Sequence, residues 1–517
     1  MKRNTILWFF SLLLLQGTFL SCNNWLDLES DSDILEDKLF EEYEGFRSSV
    51  NGIYRLLGEP NLYARNLTWG MASVLGNNYN ESNLPTLASA SFSLNYSYIS
   101  TGDYANSTSM AIIDPVWESG YRVIANCNNL IAHVLERDTS FFPQGKVERD
   151  LILGEMLGVR ALVHFDLLRL FAPATALNDS RSYIPYVTQY PERQPLHLTV
   201  QKTLEFIIAD LEESKSLLAY NDTLYNAGEM ESVTNRMGEG IGDWNYVDPR
   251  GGSFFTHRAT RMNYFSATAL LARAYQWRNG AGDMEKAYRA ARDMYRFSSD
   301  KGWFRFTPAE NLQTSADNIS RKMYDDILFA ANYNQMYSML TDKVLYPTGK
   351  YFFYKNQDHL FGKGTPEDDS DDFRYVMLID PLDKSSRRWT RPDTETTANS
   401  SVSRVQGSLA PVIRMSEAVY IMCECLADTN LPEAVELLAA VRMARGAKTL
   451  LPEVIGRTEF LERLYIEMTR EFMSEGQTFF LYKRLNRPMY NGASPAVDMT
   501  NRYVLPIPHS ETAYLTL

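Results

Sequence analysis

Apolar residues return about every three or four positions in one block of this chain after another, and that spacing commits most of it to amphipathic helices. Trp117, Tyr121, Ile124, Asn128, Ile131 and Leu135 follow one such repeat. Ile152, Met156, Val159, Val163, Leu167 and Leu170 follow the next, which Pro173 must end because proline has no amide hydrogen and its ring clashes with the preceding turn. A third block, Val200, Leu204, Ile207, Leu211 and Leu218, has Thr199 placed to cap its first turn. Each of the three predicts a helix that buries one face against its neighbours.

The stretch from Met262 to Phe297 predicts a helix pair. Tyr264, Ala267, Leu271 and Ala274 line one side and Met262, Phe265 and Ala269 another, so the first helix is buried on two faces. Asn279 to Gly282 breaks it, and Ala287, Ala290, Ala291 and Met294 let the second backbone come close. This is the logic of a tetratricopeptide hairpin, although Tyr275 and Ala287 lie about three residues further apart than in the consensus repeat. Val412, Val419 and Leu426, a turn at Asp428 to Asn430, and Pro432 opening a segment with Ala434, Leu438 and Val441 predict a second pair. The expected fold class is mostly α, with irregular tetratricopeptide-like helix pairs as scaffold. The intervening stretches 61–113, 219–260 and 303–411 are too long for idle connections, so they are functional or carry short strands of their own.

Composition narrows the surroundings. Apolar residues at 45% and charged ones at 22% match an ordinary globular protein. A net charge of −13 works against nucleic acid or an anionic bilayer as partner, since both would repel the chain; a neutral or cationic ligand fits better. The first residues read as a secretion signal. Lys2 and Arg3 precede an apolar run from Ile6 to Leu15 that is short for a bilayer span, and Ser21 supplies the small residue before Cys22. Bacterial lipoproteins usually carry Leu three residues before the cysteine, where this chain has Phe19, with Leu20 one place late. Residues 1–21 are therefore expected to be a lipoprotein signal and Cys22 the lipidated residue. Residues 22–40 are the expected tether and 41–517 a single domain, with halves at 41–220 and 250–517. Beyond Cys22, an odd set of Cys127, Cys423 and Cys425 fits buried free thiols better than a disulfide framework. The six histidines show no ligand spacing, so neither a metal nor another cofactor is expected.

The long loops hold Trp69, Tyr79, Tyr96, Tyr98, Trp244, Tyr246, Tyr333, Tyr337, the run Tyr351 to Tyr354, and Trp389. Aromatic faces beside amides and hydroxyls suit neutral sugar rings, whose C–H faces stack while their hydroxyls bond to Asn, Asp, Gln and Arg. The plainer reading of any single ring is that it fills core or pins a loop.

The chain resembles the SusD/RagB family of outer-membrane lipoproteins nearly end to end. Cys22, Leu26 and Asp27 look like its start. Trp117, Tyr121, Ile124, Asn128 and Ile131 match its W-x3-Y-x2-I-x3-N-x2-I helix, and Glu155, Arg160 and Ala161 through Phe171 resemble the segment after it. Arg258 through Tyr275 is similar to its LLARxY helix, and Ile413, Arg414, Ser416, Glu417 and Ala418 to IRLSEA. Glu462–Arg463, Glu475–Gly476 and Leu505 to Pro508 resemble its ER, EG and LPIP signatures. The resemblance implies a non-catalytic binding protein on the cell surface that captures oligosaccharides, or in some members peptides, for a SusC-like TonB-dependent transporter. It also implies ligand contacts on irregular loops and favours Tyr333 and Tyr337, since the loop after Ile327 to Ala330 resembles one that carries such contacts; Tyr79, Tyr96 and Tyr98, from the first long loop, come next. One departure is local: Thr478 and Leu481 stand where the family usually has Arg and Asp, and losing both together strands no charge. That segment is read as structural, as is the ladder Arg463, Glu467, Arg470, Glu471 and Glu475, whose spacing suggests ion pairs along a helix face.

Two other classes remain. A surface glycan hydrolase or lyase needs a carboxylate pair or a Tyr/His base; no such constellation stands out, and Glu367 to Asp372 reads as a solvated acidic loop. A scaffold or adhesin would use the helical repeats for protein contacts.

Overall fold

The computed structural model describes residues 38–80, 86–89, 92–177, 179–238, 251–313, 320–336, 339, 354–382, 384–389 and 407–515. The signal, Cys22 and most of the tether lie outside them, as do Trp244, Tyr246, Tyr337 and residues 351–353. Contacts divide the chain into two units, 1–48 and 49–517. In the first, Phe40 and Phe46 meet edge to face at 4.9 Å.

Helix α1 (Tyr43–Leu57) begins in the first unit and ends in the second. The periodic blocks form α2 (Ser107–Glu136), α3 (Lys146–Phe171) and α4 (Val200–Tyr220). Capping follows from side-chain chemistry: Asn106 accepts from the Thr108 amide and Thr199 from the Lys202 amide. In α2 the inward series holds as far as Ile131, but Leu135 is 56% exposed and Val134 takes the inward place in the last turn.

The larger departure is α3, which is no amphipathic helix. Every residue from Leu151 to Phe171 is buried. Two glycines on one face make this possible: a Cβ on Gly154 would lie 2.9 Å from Leu218, and one on Gly158 2.5 Å from Met262 and 2.7 Å from the Ser214 hydroxyl. Helix α4 therefore lies against bare backbone, and Ser214 donates to the Gly154 carbonyl at 2.6 Å.

The two helix pairs form as expected, α5 (Tyr264–Arg278) with α6 (Asp283–Ser299) and α7 (Met415–Leu426) with α8 (Leu431–Ala444). Asn263 and Ser266 build a capping box at the start of α5, and Asn279 (φ 48°) and Gly282 (φ 76°) make the left-handed turn to α6. Residues 265–277 are buried, whereas Tyr264, at the first turn, is half-buried; Phe265 occupies the core place expected of it. Val412 belongs to a strand that precedes α7, not to the helix. Helices α9 (Arg457–Glu471) and α10 (Gln477–Leu485) follow.

Three antiparallel strand pairs form: β1 (Thr86–Ser89) with β2 (Phe92–Asn95) in the first long connection, β3 (Ser182–Pro185) with β4 (His197–Thr199) between α3 and α4, and β5 (Ile327–Asn332), within the third long connection, with β6 (Leu409–Arg414) at its end. The last pairing brings the two ends of a long excursion side by side. Among the described residues no helix is long and apolar enough to cross a membrane.

Candidate ligand-binding surface

Most of the loop aromatics with described side chains are structural. Trp69, Tyr79, Tyr96, Tyr354 and Trp389 are between 0% and 4% exposed. The turn-rich segment 58–80 folds inward, where the Trp69 indole donates to the Ala64 carbonyl at 2.7 Å and the Tyr79 hydroxyl to the Trp69 carbonyl at 2.9 Å. Tyr79 stacks on Tyr354, Trp69 packs against Trp389, and the Trp389 indole donates to the Ser474 carbonyl at 3.0 Å. Tyr96 donates to Asn66 at 3.1 Å. Tyr79 and Tyr96, candidates by sequence, thus join distant segments and present no face to a ligand, because polar partners for their hydroxyls lie inside the fold. Tyr98, on the one-turn helix Ser97–Thr101, is 39% exposed.

Tyr333 is the candidate that the fold positions. β5 ends at Asn332, and the Tyr333 amide still donates across the ladder to the Ser408 carbonyl at 2.9 Å. A turn follows, closed by the Met336 amide on the Tyr333 carbonyl, with the Met336 side chain buried as a plug. The Tyr333 ring is left half-buried, its hydroxyl donating to Gln335 at 3.2 Å, with Asn332, Asn334 and Gln335 exposed beside it. Gly58 supports the turn from behind, since a Cβ there would lie 2.2 Å from the Asn332 carbonyl oxygen. Partial burial raises the Tyr333 hydroxyl's pKa and nearby Glu59 adds to this, while Arg65 opposes it, so the hydroxyl stays a neutral donor. A ring face rimmed by amides can stack on a sugar and bond to its hydroxyls. The amide run Asn332, Asn334 and Gln335 went unnoticed in the sequence, although three amides around a tyrosine directly after an apolar strand are its signal.

The buried charges have another role. Arg374, Arg388, Arg414, Arg442, Arg445 and Arg470 interleave with Asp326, Asp369, Asp372, Glu467, Glu471 and Glu475 in one continuous, charge-balanced network. Arg414 reaches Asp326 at 2.7 Å and Glu475, and Arg470 reaches Asp369 at 2.7 Å. The ladder on α9 is therefore mostly internal and cross-element; Arg463 with Glu459 at 3.0 Å is its exposed pair along the helix face. Asp369 and Asp372, read as part of a solvated loop, are 2% and 0% exposed within the network. Burial acts to raise Glu467, but Arg374, Arg470 and Arg442 outweigh it and hold the carboxyl below its ordinary range. Carboxylates pinned in this way by guanidiniums are ties between segments.

The recurring motif residues also find one another. Arg160 grips Asp210 with two bonds, at 2.7 and 2.8 Å, and donates to Asn128 at 2.9 Å. Glu155 accepts from Tyr54 and Arg261, both at 2.9 Å, and pairs with Arg258; Arg273 pairs with Glu417. At the departure from the family pattern, Thr478 is 0% and Leu481 5% exposed, and the Lys483 ammonium donates to the Arg169 and Leu170 carbonyls at the end of α3. Cys127 and Cys423 are buried free thiols; Cys425 is partly buried and free.

This architecture, a helical scaffold of irregular hairpins with its motifs inside and a polar-aromatic rim outside, is shared with known proteins. Residues 24–227 match the family model SusD-like_3, described as "Starch-binding associating with outer membrane". A SusD-like carbohydrate binding protein from Bacteroides vulgatus ATCC 8482 is similar in structure, with 17% identity, 92% of this chain and 96% of that one covered, and a TM-score of 0.62. A SusD superfamily protein from Bacteroides thetaiotaomicron VPI-5482 has 19% identity, coverage of 91% and 98%, and a TM-score of 0.63. One from Bacteroides fragilis has 15% identity, coverage of 92% and 98%, and a TM-score of 0.63. No curated protein matches the chain by sequence. The N-terminal part of the chain thus matches a SusD-like family model, and its fold is that of the SusD-like structures.

Proposed function

We propose that the protein is a non-catalytic cell-surface binding protein that captures neutral oligosaccharides and delivers them to a SusC-like TonB-dependent transporter. Lipid on Cys22 would hold it to the outer membrane, residues 22–40 would be its tether, and 41–517 its single folded domain. The observation that carries this reading is the Tyr333 turn, an aromatic face held by the β5–β6 ladder among exposed amides. Tyr98 and Tyr337 are further candidates for the same role. The family's description as starch-binding and outer-membrane-associated supports the ligand class and the location. Pairing of the core carboxylates with arginine supports binding over hydrolysis, because a pinned carboxylate is a poor general acid.

Calorimetry of the wild type and Tyr333→Ala against neutral oligosaccharides and peptides tests the reading. The variant is expected to lose about 0.5 to 1.5 kcal/mol of glycan binding with an unchanged melting temperature, and the wild type to leave each glycan intact. Normal glycan binding by Tyr333→Ala moves the site elsewhere, binding of peptides alone rejects the ligand class, and glycan cleavage rejects the non-catalytic role.

A further inference from the structure

A concave surface that includes no residue of the Tyr333 turn lies where the chain leaving α3 meets the end of α10 and the segment before Leu505. It is a cleft of ≈ 710 Å³, within the range of about 300 to 1,000 Å³ of small-molecule sites. Its position follows from how α3 ends. Lys483 and the Leu505 amide both bind carbonyls of the last α3 turn, and the Tyr503 hydroxyl donates to the Arg487 carbonyl at 2.6 Å, so three separate segments are held around one hollow.

The lining is chemically mixed. Leu177 and Val504, 53% and 36% exposed, give apolar surface beside the rings of Tyr183 and Tyr503. Asn486 (φ 48°) and Asn501 (φ 61°) hold left-handed backbone positions with exposed side chains. Among the described residues, no hydrogen bond engages either side-chain amide.

The charges of the cleft are already engaged, some by opposite charges and the rest by hydrogen bonds. Asp179 grips Arg181 at 2.7 to 3.2 Å and is held well below the ordinary carboxylate range by that bond. Arg487 pairs with Glu462 at 2.8 Å, Lys483 faces helix carbonyls, and Asp498 accepts from the Thr500 amide and hydroxyl. An ionic ligand would have to displace an ion pair or a hydrogen bond already made by each of these charges, whereas an uncharged polyhydroxylated one finds apolar faces to stack on and amides to bond with.

We infer that this cleft is a second carbohydrate site, taking a short neutral oligosaccharide between Asn486 and Asn501 and independent of the Tyr333 turn. The test is calorimetry of the full mature chain with maltohexaose, cellohexaose, xylohexaose and mannohexaose. Replacing both asparagines by glycine keeps the positive φ angles while removing the amides. For at least one of these glycans the double variant Asn486→Gly/Asn501→Gly is expected to lose affinity at one of two binding events by about tenfold or more, since two hydrogen bonds go. Leu177→Trp, which places a large ring in the mouth at an already exposed position, should do the same and serves as the check if the double variant melts early. Both effects should persist in a Tyr333→Ala background. Binding that both cleft variants leave intact overturns the assignment, as does failure of all four glycans to bind; loss of all binding in Tyr333→Ala alone would leave the turn as the site and remove the cleft.

Discussion

His164 should make the protein sensitive to mild acid, beginning at a pH above the ordinary carboxylate range. The ring is fully buried in α3, with Nδ1 donating to the Arg160 carbonyl at 2.9 Å and Nε2 accepting from the Val187 amide at 3.0 Å. It stacks on Tyr186 at 3.9 Å between centroids. A proton on Nε2 would set two donors against each other. Burial, with the Arg160 charge nearby, depresses its pKa to about 3, against about 6.5 in an unfolded chain. Above about pH 6.5 both states are neutral and the group costs nothing. As the pH falls, the unfolded chain takes the proton first, so stability is lost progressively from about pH 6.5 down to the folded value. At about pH 4.5 the two-unit gap corresponds to a loss of about 3 kcal/mol relative to pH 8. Glu467, held below its ordinary range, begins its own loss from about pH 5 downward, and that loss is shared by a protein lacking His164. Urea unfolding at about pH 8 and about pH 4.5 measures the difference, and His164→Gln, which cannot titrate, should be less stable at pH 8 but lose about 3 kcal/mol less on acidification. Parallel losses in the two proteins would refute the reasoning.

Gly158→Ala should destabilise the fold by about 1 to 2 kcal/mol, because overpacking against Met262 and Ser214 outweighs a helix-propensity gain of about 1 kcal/mol; thermal melts measure it, and an unchanged or raised Tm would count against the close approach of α3 and α4. Cys22→Ala should move the protein from the membrane to the soluble fraction, since a lipid anchor has no substitute among the described helices; unchanged fractionation would reject lipidation.

The scaffold was readable because helix period, caps and breaks are local. Thr199, Asn279, Gly282 and Pro432 act within a turn of where they stand, and the helices they bound lie where the spacing placed them. Long-range facts were not readable. Gly154 and Gly158 look like weak points in a helix until α4 is seen to lie on them. Glu467 and Glu471 have helix-face spacing, yet their partners Arg374 and Arg445 are remote in sequence and inside the protein. Which loop aromatics turn inward was unreadable for a related reason: a tyrosine whose hydroxyl finds a carbonyl or amide indoors, as Tyr79 and Tyr96 do, is as well placed there as at the surface. Tyr333 was singled out through the family resemblance, whereas the amides around it were legible and unread. The motif residues Arg160, Glu155, Arg273 and Glu417 are buried ties, so what makes the family recognisable describes its scaffold and leaves its ligand unnamed.

Helix α3, enclosed along its length from Leu151 to Phe171, also sets two clocks in the molecule. Its amide protons can meet water only when the fold opens as a whole, so their exchange with deuterium reports the global unfolding free energy. The amides at the exposed turn after Asn332 need only a local opening, one that costs a ladder bond and the withdrawal of Met336. The turn can therefore open and close many times while α3 stays shut to solvent.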